Sequence, residues 1–510
     1  MNLHSALAAA ATRWPARTAL IDPDGGVRLS YEALFARVAR LAAGLAGLGL
    51  RPGDRVAMLV TNSWEYVTAF FGASAAGLII VPMNIRLLED ELAHMVRDSG
   101  ARLLIIQESL LLERPALAAI PELGIALVRA SAGATARRFE SIDAAPLPLA
   151  ATPGDAVASL LYTSGTTGAP KGAMLPHVSW TTVSDYVREF LRYGDDEVTL
   201  HGGALTHGSG FLMLPTFASG GTNVVCARFD PPRVLDMFSA LGITNGFLVP
   251  TMIQMLLDLP PPADRSRWRL RNLYYAGSPI DPATLRGALE NFGPVLIQSF
   301  GQTEAPMFLT LLDHAEHQAI AARPHLIRSA GRVIAGVDVR IVDDDDRELP
   351  TGAIGEIVAR GPHVMKGYWN RPEASADTLR GGWLHTGDVG RFDDEGYLYI
   401  VDRKKDMIIS GGSNVYAREV EQALLGMPGV REAAVIGLPH RKWGEMVTAV
   451  LVANASPHPS DAEMEQFCHR NIADYRRPKK FIWVGDLPRN AYGKVLKREL
   501  RNRYAEADHA

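Results

Sequence analysis

Short apolar runs alternate with amphipathic stretches through about the first 400 residues of the chain. Residues 55–60, 102–106 and 156–162 are runs of this kind and are predicted to be strands. Residues 31–49 and 88–99 lie between such runs and have the periodicity of helices that bury one face. This alternation is typical of parallel sheets covered by helices. We therefore expect an α/β fold, with a large N-terminal domain of helix-covered sheets.

One uncharged stretch, residues 66–85, is long enough to resemble a membrane span. Gly72, Gly77 and Pro82 interrupt the stretch, and the β-branched residues 79–81 favour a strand. We expect a buried helix followed by a buried strand, and a membrane span is the less favoured alternative. No integral membrane segment is therefore predicted.

Composition and charge exclude several classes of protein. The 510 residues include 52 Lys and Arg against 56 Asp and Glu, which gives a formal net charge of −4. A general nucleic-acid binder would be strongly basic, so no nucleic-acid partner is expected. The two cysteines, Cys226 and Cys468, are too few for a disulfide framework or a cysteine-rich metal site, which favours a reducing compartment. A cytoplasmic protein is predicted.

The sequence pattern changes after about residue 330. Residues 331–343 and 355–360 alternate between apolar and polar side chains, and they are predicted to be hairpin strands of a β-rich subdomain. The acidic run 343–346 is predicted to be a charged hairpin turn rather than a cation site, because no spaced set of ligands accompanies it. From residue 402 onward the chain has the pattern of a compact α+β segment. The predicted domains are residues 1–401 and a small C-terminal domain, residues 402–510.

A loop rich in glycine and hydroxyl groups follows the apolar run that ends at Leu161. Its sequence, YTSGTTGAPKG, covers residues 162–172. Backbone amides, hydroxyls and an ammonium wrapped in this way suit phosphate or pyrophosphate oxygens. The candidate phosphate-binding residues are Thr163, Ser164, Gly165, Thr166, Thr167 and Lys171. The loop is not a Walker A motif, because Gly172 stands where that motif has Ser or Thr. A flexible linker is the alternative, which the preceding strand makes less favoured.

This loop is the first of several motifs that occur in order along the chain. The others are AGSPI at 276–280, SFGQTE at 299–304, WLHTGD at 383–388, DRKKDM at 402–407 and PRNAYGK at 488–494. Together they resemble the acyl-adenylate-forming superfamily, in its acyl-CoA synthetase branch. The resemblance implies a large AMP-binding domain followed by a small mobile domain that carries a catalytic lysine. It also implies an ATP-dependent acid–CoA ligase that acts on a fatty or aryl carboxylic acid. Such an enzyme forms acyl-AMP and pyrophosphate, then acyl-CoA and AMP, with ATP, Mg²⁺ and CoA as cofactors.

The resemblance implies roles for individual residues around ATP. Glu304 is expected to bind Mg²⁺, and Thr303 is expected to lie near the α-phosphate. Asp388 and Arg403 are expected at the ribose, where one carboxylate can accept hydrogen bonds from both hydroxyls. The other residues expected to bind the nucleotide are Gly277, Ser278, Pro279, Ser299, Phe300, Gly301 and Gln302. Phe300 stands where many members of the superfamily have Tyr, so its ring can still pack on adenine but offers no hydroxyl.

Three further positions are implied to act in the reaction. Lys494 matches the catalytic lysine, whose ammonium can neutralise the charge that develops when the carboxylate attacks the α-phosphate. Lys405 matches the hinge about which the C-terminal domain rotates. His207 matches a position where a ring gates the carboxylate site, and a purely structural histidine is the alternative. The candidate catalytic residues are therefore His207, Thr303, Glu304 and Lys494.

The second half-reaction needs a site for CoA. Gly411 and Gly412 belong to a loop that resembles the wall of the pantetheine tunnel, where glycine lets a thin chain pass close to the backbone. Trp443, Arg477 and Lys479 resemble residues that grip the CoA nucleotide. A solvated basic surface, or a carrier-protein contact, is the alternative for this patch.

Several alternatives stay open at this point. The acyl group could pass to a carrier-protein phosphopantetheine or to another nucleophile instead of CoA. Trp180 and Tyr186 are expected near the acid, where they suit an aryl ring as well as an aliphatic chain. A catalytically inactive binding protein is disfavoured, because the expected Lys, Glu and Asp positions are all filled. The expected partners are thus a small carboxylic acid and CoA, with a homodimer left open.

Overall fold

The fold is known from a computed structural model that describes residues 2–163, 170–260, 265–489 and 494–505. Four predicted phosphate-binding residues, Ser164, Gly165, Thr166 and Thr167, lie outside the described residues. The α-helices are α1 Leu3–Arg13, α2 Tyr31–Gly47, α3 Trp64–Ala75, α4 Glu89–Ser99, α5 Glu108–Leu112, α6 His177–Phe190, α7 Met213–Ala218, α8 Pro231–Ala240, α9 Pro250–Leu257, α10 Pro282–Phe292, α11 His314–Gln318, α12 Pro372–Thr378, α13 Ala417–Leu424, α14 Asp461–Asn471 and α15 Lys497–Ala505.

The strands are β1 Thr18–Asp22, β2 Val27–Ser30, β3 Arg55–Leu59, β4 Ile79–Pro82, β5 Leu103–Gln107, β6 Gly124–Val128, β7 Arg137–Arg138, β8 Val157–Thr163, β9 Lys171–Pro176, β10 Val198–His201, β11 Thr222–Val225, β12 Asn245–Leu248, β13 Asn272–Tyr275, β14 Leu296–Gln302, β15 Ala305–Leu312, β16 Arg332–Val333, β17 Asp338–Val342, β18 Gly355–Arg360, β19 Leu384–Phe392, β20 Leu398–Arg403, β21 Ile408–Ser410, β22 Ser413–Val415, β23 Val430–His440, β24 Gly444–Ala453 and β25 Lys480–Val484.

A nine-stranded sheet occupies the middle of the chain, in the order β16-β15-β14-β13-β12-β10-β11-β1-β2. Its strands run parallel from β14 to β1, and the strands at the two edges pair antiparallel. Strands β12 and β13 are buried along their whole length, as expected of parallel strands that are covered on both faces. The predicted α/β fold is thus confirmed.

A seven-stranded sheet contains the predicted N-terminal strands, in the order β7-β6-β5-β3-β4-β8-β9. The uncharged stretch 66–85 supplies most of α3 and all of β4. Every residue from Glu65 to Ala75 is buried in α3, and β4 is buried throughout. The prediction of a buried helix followed by a buried strand is therefore confirmed. Among the described residues, no helix is both long and apolar enough to cross a membrane.

The β-rich segment after residue 330 is divided between two sheets. Strands β17 to β20 form a four-stranded sheet, but Arg332 and Val333 pair with Leu311 and Thr310 of β15 in the nine-stranded sheet. The prediction that residues 331–343 belong to the β-rich subdomain is therefore wrong for their first part, because β15 offers β16 an open edge. The acidic run 343–346 is a turn as predicted, and it is closed by Asp343 N–H donating to the Arg347 carbonyl at 3.0 Å.

The chain forms two compact units. One comprises residues 1–339 and 359–385, and the other comprises residues 340–358 and 386–510. In the second unit, a five-stranded sheet runs in the order β22-β21-β24-β23, with β25 parallel to β24. The domain boundary predicted between residues 401 and 402 stays a prediction.

Candidate active site

Three loops that carry predicted site residues leave the nine-stranded sheet at the same edge. His207 follows β10, residues 277–279 follow β13, and Thr303 and Glu304 follow β14. These strands are parallel, so their carboxyl ends meet at one edge of the sheet. Ligands of open α/β sheets bind at this edge. The topology thus brings the predicted adenine loop, the magnesium residue and the carboxylate gate to a common place.

The predicted adenine-side residues lie in the β14–β15 hairpin, whose turn is formed by Thr303 and Glu304. Phe300 and Gln302 are half-buried on the strand before the turn. Gly301 lies at a bulge, where an added Cβ would be 2.7 Å from the carbonyl carbon of Met307, so only glycine fits there without a backbone shift.

Ser299, in the same strand, is buried, and its hydroxyl holds the hairpin together. It donates to the Met307 carbonyl and accepts from the hydroxyl of Tyr274. Residues 277–279, by contrast, are exposed at the end of β13. The nucleotide-binding roles of these residues stay predictions.

Glu304 is held by Tyr368, a residue that the sequence did not single out. The Tyr368 hydroxyl donates to Glu304 Oε1 at 2.7 Å, and the Met365 amide donates to the Glu304 carbonyl at 2.8 Å. Burial, and next the charge of Glu304, raise the pKa of Tyr368, so the phenol stays protonated and donates. A glycine and two aromatic residues at 367–369, just before the helix at Pro372, are the sequence signal that could have drawn attention to this position.

The base of the phosphate loop is the β8–β9 hairpin. Thr163 and Lys171 are directly opposed at the end where the loop joins the two strands, and the Lys171 ammonium lies 4.3 Å from the centre of the Tyr368 ring. The hairpin is anchored to α4 by Tyr162, whose hydroxyl donates to Asp98 at 2.8 Å. Tyr368 therefore touches both the lysine of the phosphate loop and the predicted magnesium residue.

His207 lies at the start of a short 3₁₀ helix, Gly208–Leu212, and is half-buried. Its Nδ1 is 2.7 Å from Thr206 Oγ1. Gly210 passes so close to Leu205 that an added Cβ would overlap the Leu205 carbonyl oxygen, so this turn requires glycine.

Two buried residues that sequence reasoning missed hold the His207 loop in place. Asn62 donates from Nδ2 to the Gly203 carbonyl at 2.7 Å, and its Oδ1 accepts from the Leu205 amide at 2.9 Å. His201 lies 2.7 Å from Asn223 Oδ1 through Nε2 and 3.0 Å from Ser209 Oγ through Nδ1.

Asn223 and Ser209 hold the His201 ring at both of its nitrogens. Nε2 contacts the Asn223 side-chain oxygen, and Nδ1 lies 3.0 Å from both the hydroxyl and the carbonyl oxygen of Ser209. Burial lowers the pKa of His201 to about 4, which keeps the ring neutral. A lone Asn and a lone His carry no signal that would have assigned them this role.

A row of packed aromatic rings begins beside His207. The Phe247 ring lies against Gly208 and makes an edge contact with Tyr274, with ring centres 5.2 Å apart. Tyr274 in turn stacks with Phe308 at 5.5 Å. Trp180 was expected near the acid, but it is 3% exposed, stacks on Phe211 at 4.1 Å and donates from Nε1 to Ser159. Trp180 is therefore a core residue, with ring contacts to Phe211 and Phe70.

The predicted ribose residues lie opposite each other in the second unit. Asp388 on β19 pairs with Arg403 on β20, and Arg403 Nε lies 3.2 Å from the Asp388 carboxylate. Burial raises the pKa of Asp388, and the positive charges of Arg403 and then Lys494 oppose this shift.

Burial also lowers the pKa of Lys405 to about 8, and the neighbouring charges of Arg403 and Lys494 act in the same direction. The structure thus places Lys494, the predicted hinge lysine and the ribose pair within electrostatic reach of one another.

The predicted CoA residues do not all lie together. Trp443 lies 3.2 Å from a Cβ built on Gly411, and the ammonium groups of Lys442 and Lys479 lie 4.7 and 5.8 Å from its ring centre. Arg477 instead donates to the Ile472 carbonyl at 2.8 Å and to Asp474 at 2.9 Å, so its guanidinium braces the end of α14. A CoA contact by Arg477 stays a prediction, as does one by Gly412, which is exposed beside Gly411.

The donor set at Glu304 fits Mg²⁺ bound together with a nucleotide. Within the described ranges, no group of three His, Cys, Asp or Glu side chains could hold a metal alone. No described side chain bonds the Glu304 Oε2 oxygen, whereas Oε1 is held by Tyr368. Mg²⁺ in nucleotide sites uses one or two carboxylates plus phosphate oxygens, which matches this arrangement.

Comparisons with known proteins agree with the geometry. The AMP-binding enzyme family matches residues 7–369, and the AMP-binding enzyme C-terminal domain matches residues 419–494. The chain is 41% identical to a feruloyl-CoA synthase of Amycolatopsis sp, over 96% of this chain and 98% of that protein. It is 37% identical to a fatty acid–[acyl-carrier-protein] ligase of Streptomyces coeruleorubidus, over 94% and 92%.

Solved structures give the same result. The o-succinylbenzoate CoA synthetase of Bacillus subtilis, in complex with its acyl-adenylate intermediate, superposes with a TM-score of 0.87 at 31% identity and covers 98% of both chains.

Proposed function

Because the chain belongs to the AMP-binding enzyme family and is an acid–thiol ligase of the acyl-CoA synthetase branch, we propose that it converts an aryl-substituted carboxylic acid into its CoA thioester. In the first step a carboxylate oxygen attacks the α-phosphorus of ATP, and pyrophosphate leaves. In the second step the CoA sulfur attacks the acyl carbon, the bond to AMP breaks and the thiol proton is released. The observation that carries the proposal is the convergence of the His207, 277–279 and 303–304 loops at one sheet edge.

The chain's own residues are assigned as follows in the first step. Lys171 and Thr163 contact the phosphates from the loop end of the β8–β9 hairpin. Lys494 neutralises charge at the α-phosphate. Its positive charge acts on the ribose residue Asp388, which supports this assignment. His207 orients the attacking carboxylate. Bound Mg²⁺, held by Glu304, would screen the negative charge of the phosphates.

The second step is assigned to residues 402–510, which we propose to be a mobile domain that pivots at Lys405. The pairing of Trp443 with Lys442 and Lys479 supports a site for the CoA nucleotide, because a ring flanked by ammonium groups can bind both a base and a phosphate.

The aryl class of acid is supported by two observations. One relative at 41% identity is named a feruloyl-CoA synthase. The ring of Phe247 lies beside His207 and offers contacts to an aryl ring, while the buried rings of Tyr274 and Phe308 hold it in place. A fatty acid is the second candidate. It is favoured by the relative from Streptomyces coeruleorubidus, which is named a fatty acid–[acyl-carrier-protein] ligase.

The test is pyrophosphate release across aryl, short-, medium- and long-chain acids, with CoA or with a phosphopantetheinyl carrier protein, and mass detection of the product. We expect an aryl-CoA as the preferred product. Phe247→Leu should lower kcat/KM for aryl acids more than for aliphatic ones, whereas Phe238→Leu, which changes a buried ring on α8, should affect both equally. A preference for aliphatic acids that Phe247→Leu leaves unaltered would contradict the aryl assignment, and acyl transfer to the carrier alone would contradict CoA as acceptor.

We also propose that the protein works in the cytoplasm, where both substrates ATP and CoA are present. Its two cysteines are free and buried, which is compatible with a reducing compartment. Light scattering on the purified chain would measure whether it forms the homodimer that the sequence left open.

A further inference from the structure

Tyr368 connects two residues that are far apart in the sequence and that both face the phosphates in the proposed function. Its hydroxyl donates to Glu304 Oε1 at 2.7 Å, and its ring lies under the Lys171 ammonium at 4.3 Å from the centre. The residue is 7% exposed and belongs to the core of the first unit. Its position is therefore fixed by packing before any ligand binds.

The backbone around Tyr368 reinforces both contacts. The Trp369 amide donates to the Gly172 carbonyl and the Met365 amide donates to the Glu304 carbonyl, each at 2.8 Å. The Tyr368 amide donates to Ser375 Oγ at 2.8 Å, which ties the segment to α12. Residues 365–369 thus form a bridge from the strand that begins at Lys171 to the turn that carries Glu304.

We propose that Tyr368 is a positioning residue that orients the Glu304 carboxylate for Mg²⁺ and keeps the Lys171 ammonium beside it. This inference rests on the proposed function, because it takes Mg²⁺ and ATP as the ligands of this site. By donating to Oε1, the phenol leaves Oε2 to the metal and fixes the rotation of the carboxylate. The π face holds the ammonium by a cation–π contact, so the cation stays near the phosphates without an ion pair to Glu304.

Substitutions at Tyr368 separate the two contacts. Tyr368→Phe keeps the ring under Lys171 but removes the donor to Glu304, and Tyr368→Leu removes both. A hydrogen bond to a charged group contributes about 1.5–3 kcal/mol, which corresponds to about a ten- to hundredfold change in an equilibrium constant. The matched control is Tyr275→Phe, which removes another buried hydroxyl, one that bonds His317 Nε2 at 2.9 Å.

The first readout is calorimetric binding of ATP to the full chain, with Mg²⁺ and with EDTA, in the absence of any acid. We expect Tyr368→Phe to weaken binding of ATP with Mg²⁺ about ten- to hundredfold and binding of metal-free ATP by less than threefold, whereas Tyr275→Phe changes neither. Tyr368→Leu should weaken metal-free binding as well, because Lys171 loses its support. Equal losses with and without Mg²⁺ in Tyr368→Phe would overturn the proposal.

A double-mutant cycle with Glu304→Gln is the second readout. If the phenol acts through the carboxylate, Tyr368→Phe should cost less than twofold in Mg²⁺-dependent binding once Glu304 is Gln. An undiminished cost in that background would show that the hydroxyl acts elsewhere and would overturn the proposal. Conversion of supplied acyl-AMP and CoA into thioester should be unchanged in Tyr368→Phe. If the wild-type chain forms no thioester from any acid, the proposed function fails, whereas the difference in Mg²⁺-dependent binding still tests Tyr368.

Discussion

Removal of the Asn62 side chain should loosen the loop that carries His207. Asn62 is 8% exposed, and its amide bonds the loop at the Gly203 carbonyl, at the Leu205 amide and, at 3.3 Å, at the His201 carbonyl. Asn62→Ala deletes these bonds and leaves the Leu205 amide and the Gly203 carbonyl buried without their present partner. A buried group left unsatisfied costs about 1–3 kcal/mol, so we expect a total cost of about 2–6 kcal/mol for the two.

The loss of stability should affect the loop first, because the hydrogen bonds of Asn62 are concentrated there. If misplacement of His207 raises the activation free energy for the acid by about 1–2 kcal/mol, kcat/KM for the acid falls about 5- to 30-fold. The assay is carboxylate-dependent pyrophosphate release at varied acid concentration, together with calorimetric binding of ATP, which should be unchanged. Asn62→Asp keeps the acceptor for Leu205 and should give an intermediate loss.

Asn471→Ala is the control for this prediction, because its amide makes one exposed bond to the Phe467 carbonyl on α14 in the other unit. It should leave kcat/KM for the acid unaltered. An Asn62→Ala enzyme with normal kcat/KM would refute the claim that Asn62 positions the His207 loop. Parallel losses of acid turnover and ATP binding would also refute it, since they would indicate a change spread over the whole unit.

Three further outcomes are expected. Lys494→Ala should slow acyl-adenylate formation by a factor equivalent to several kcal/mol of transition-state stabilisation. The variant should still convert supplied acyl-AMP and CoA into thioester, and single-turnover assays of each half-reaction can separate the two effects. Glu197→Ala should destabilise the first unit by about 1–3 kcal/mol in chemical denaturation, because it removes the buried carboxylate that accepts from Thr244 and Asn245, whereas Arg271 keeps Asp196 at 2.9 Å. Mild acid should also destabilise the protein. Burial lowers the pKa of four histidines to about 4, below the value of 6.5 in the unfolded chain. Their contribution to the free energy of unfolding is therefore complete above pH 6.5 and is lost between pH 6.5 and 4, at about 1.4 kcal/mol per pH unit for each. These histidines are His177, His201, His317 and His363, and a denaturation midpoint that stays constant from pH 7 to 5 would contradict the last prediction.

The sequence by itself determined the elements whose side-chain pattern matches their environment. Residues 66–85 could be predicted as a buried helix and strand because their apolar side chains and their Gly and Pro breaks are local signals. The α/β class followed in the same way from alternating runs, and the ordered motifs indicated the family, since each motif carries residue types that adenylation chemistry needs. The edge strand at residues 332–333 could not be assigned, because its choice of sheet depends on the open side of β15.

Only the tertiary structure decided which residues support the site. Tyr368 and Glu304 are separated by 64 positions, and Asn62 and Leu205 by 143, so no local pattern can report their contacts. The same holds for Trp180, whose aromatic character suited a substrate pocket but whose ring is used in the core. Residue types reveal which chemistry a position can perform. The packing of distant segments, which buries one group and leaves another open, decides which of those groups meet.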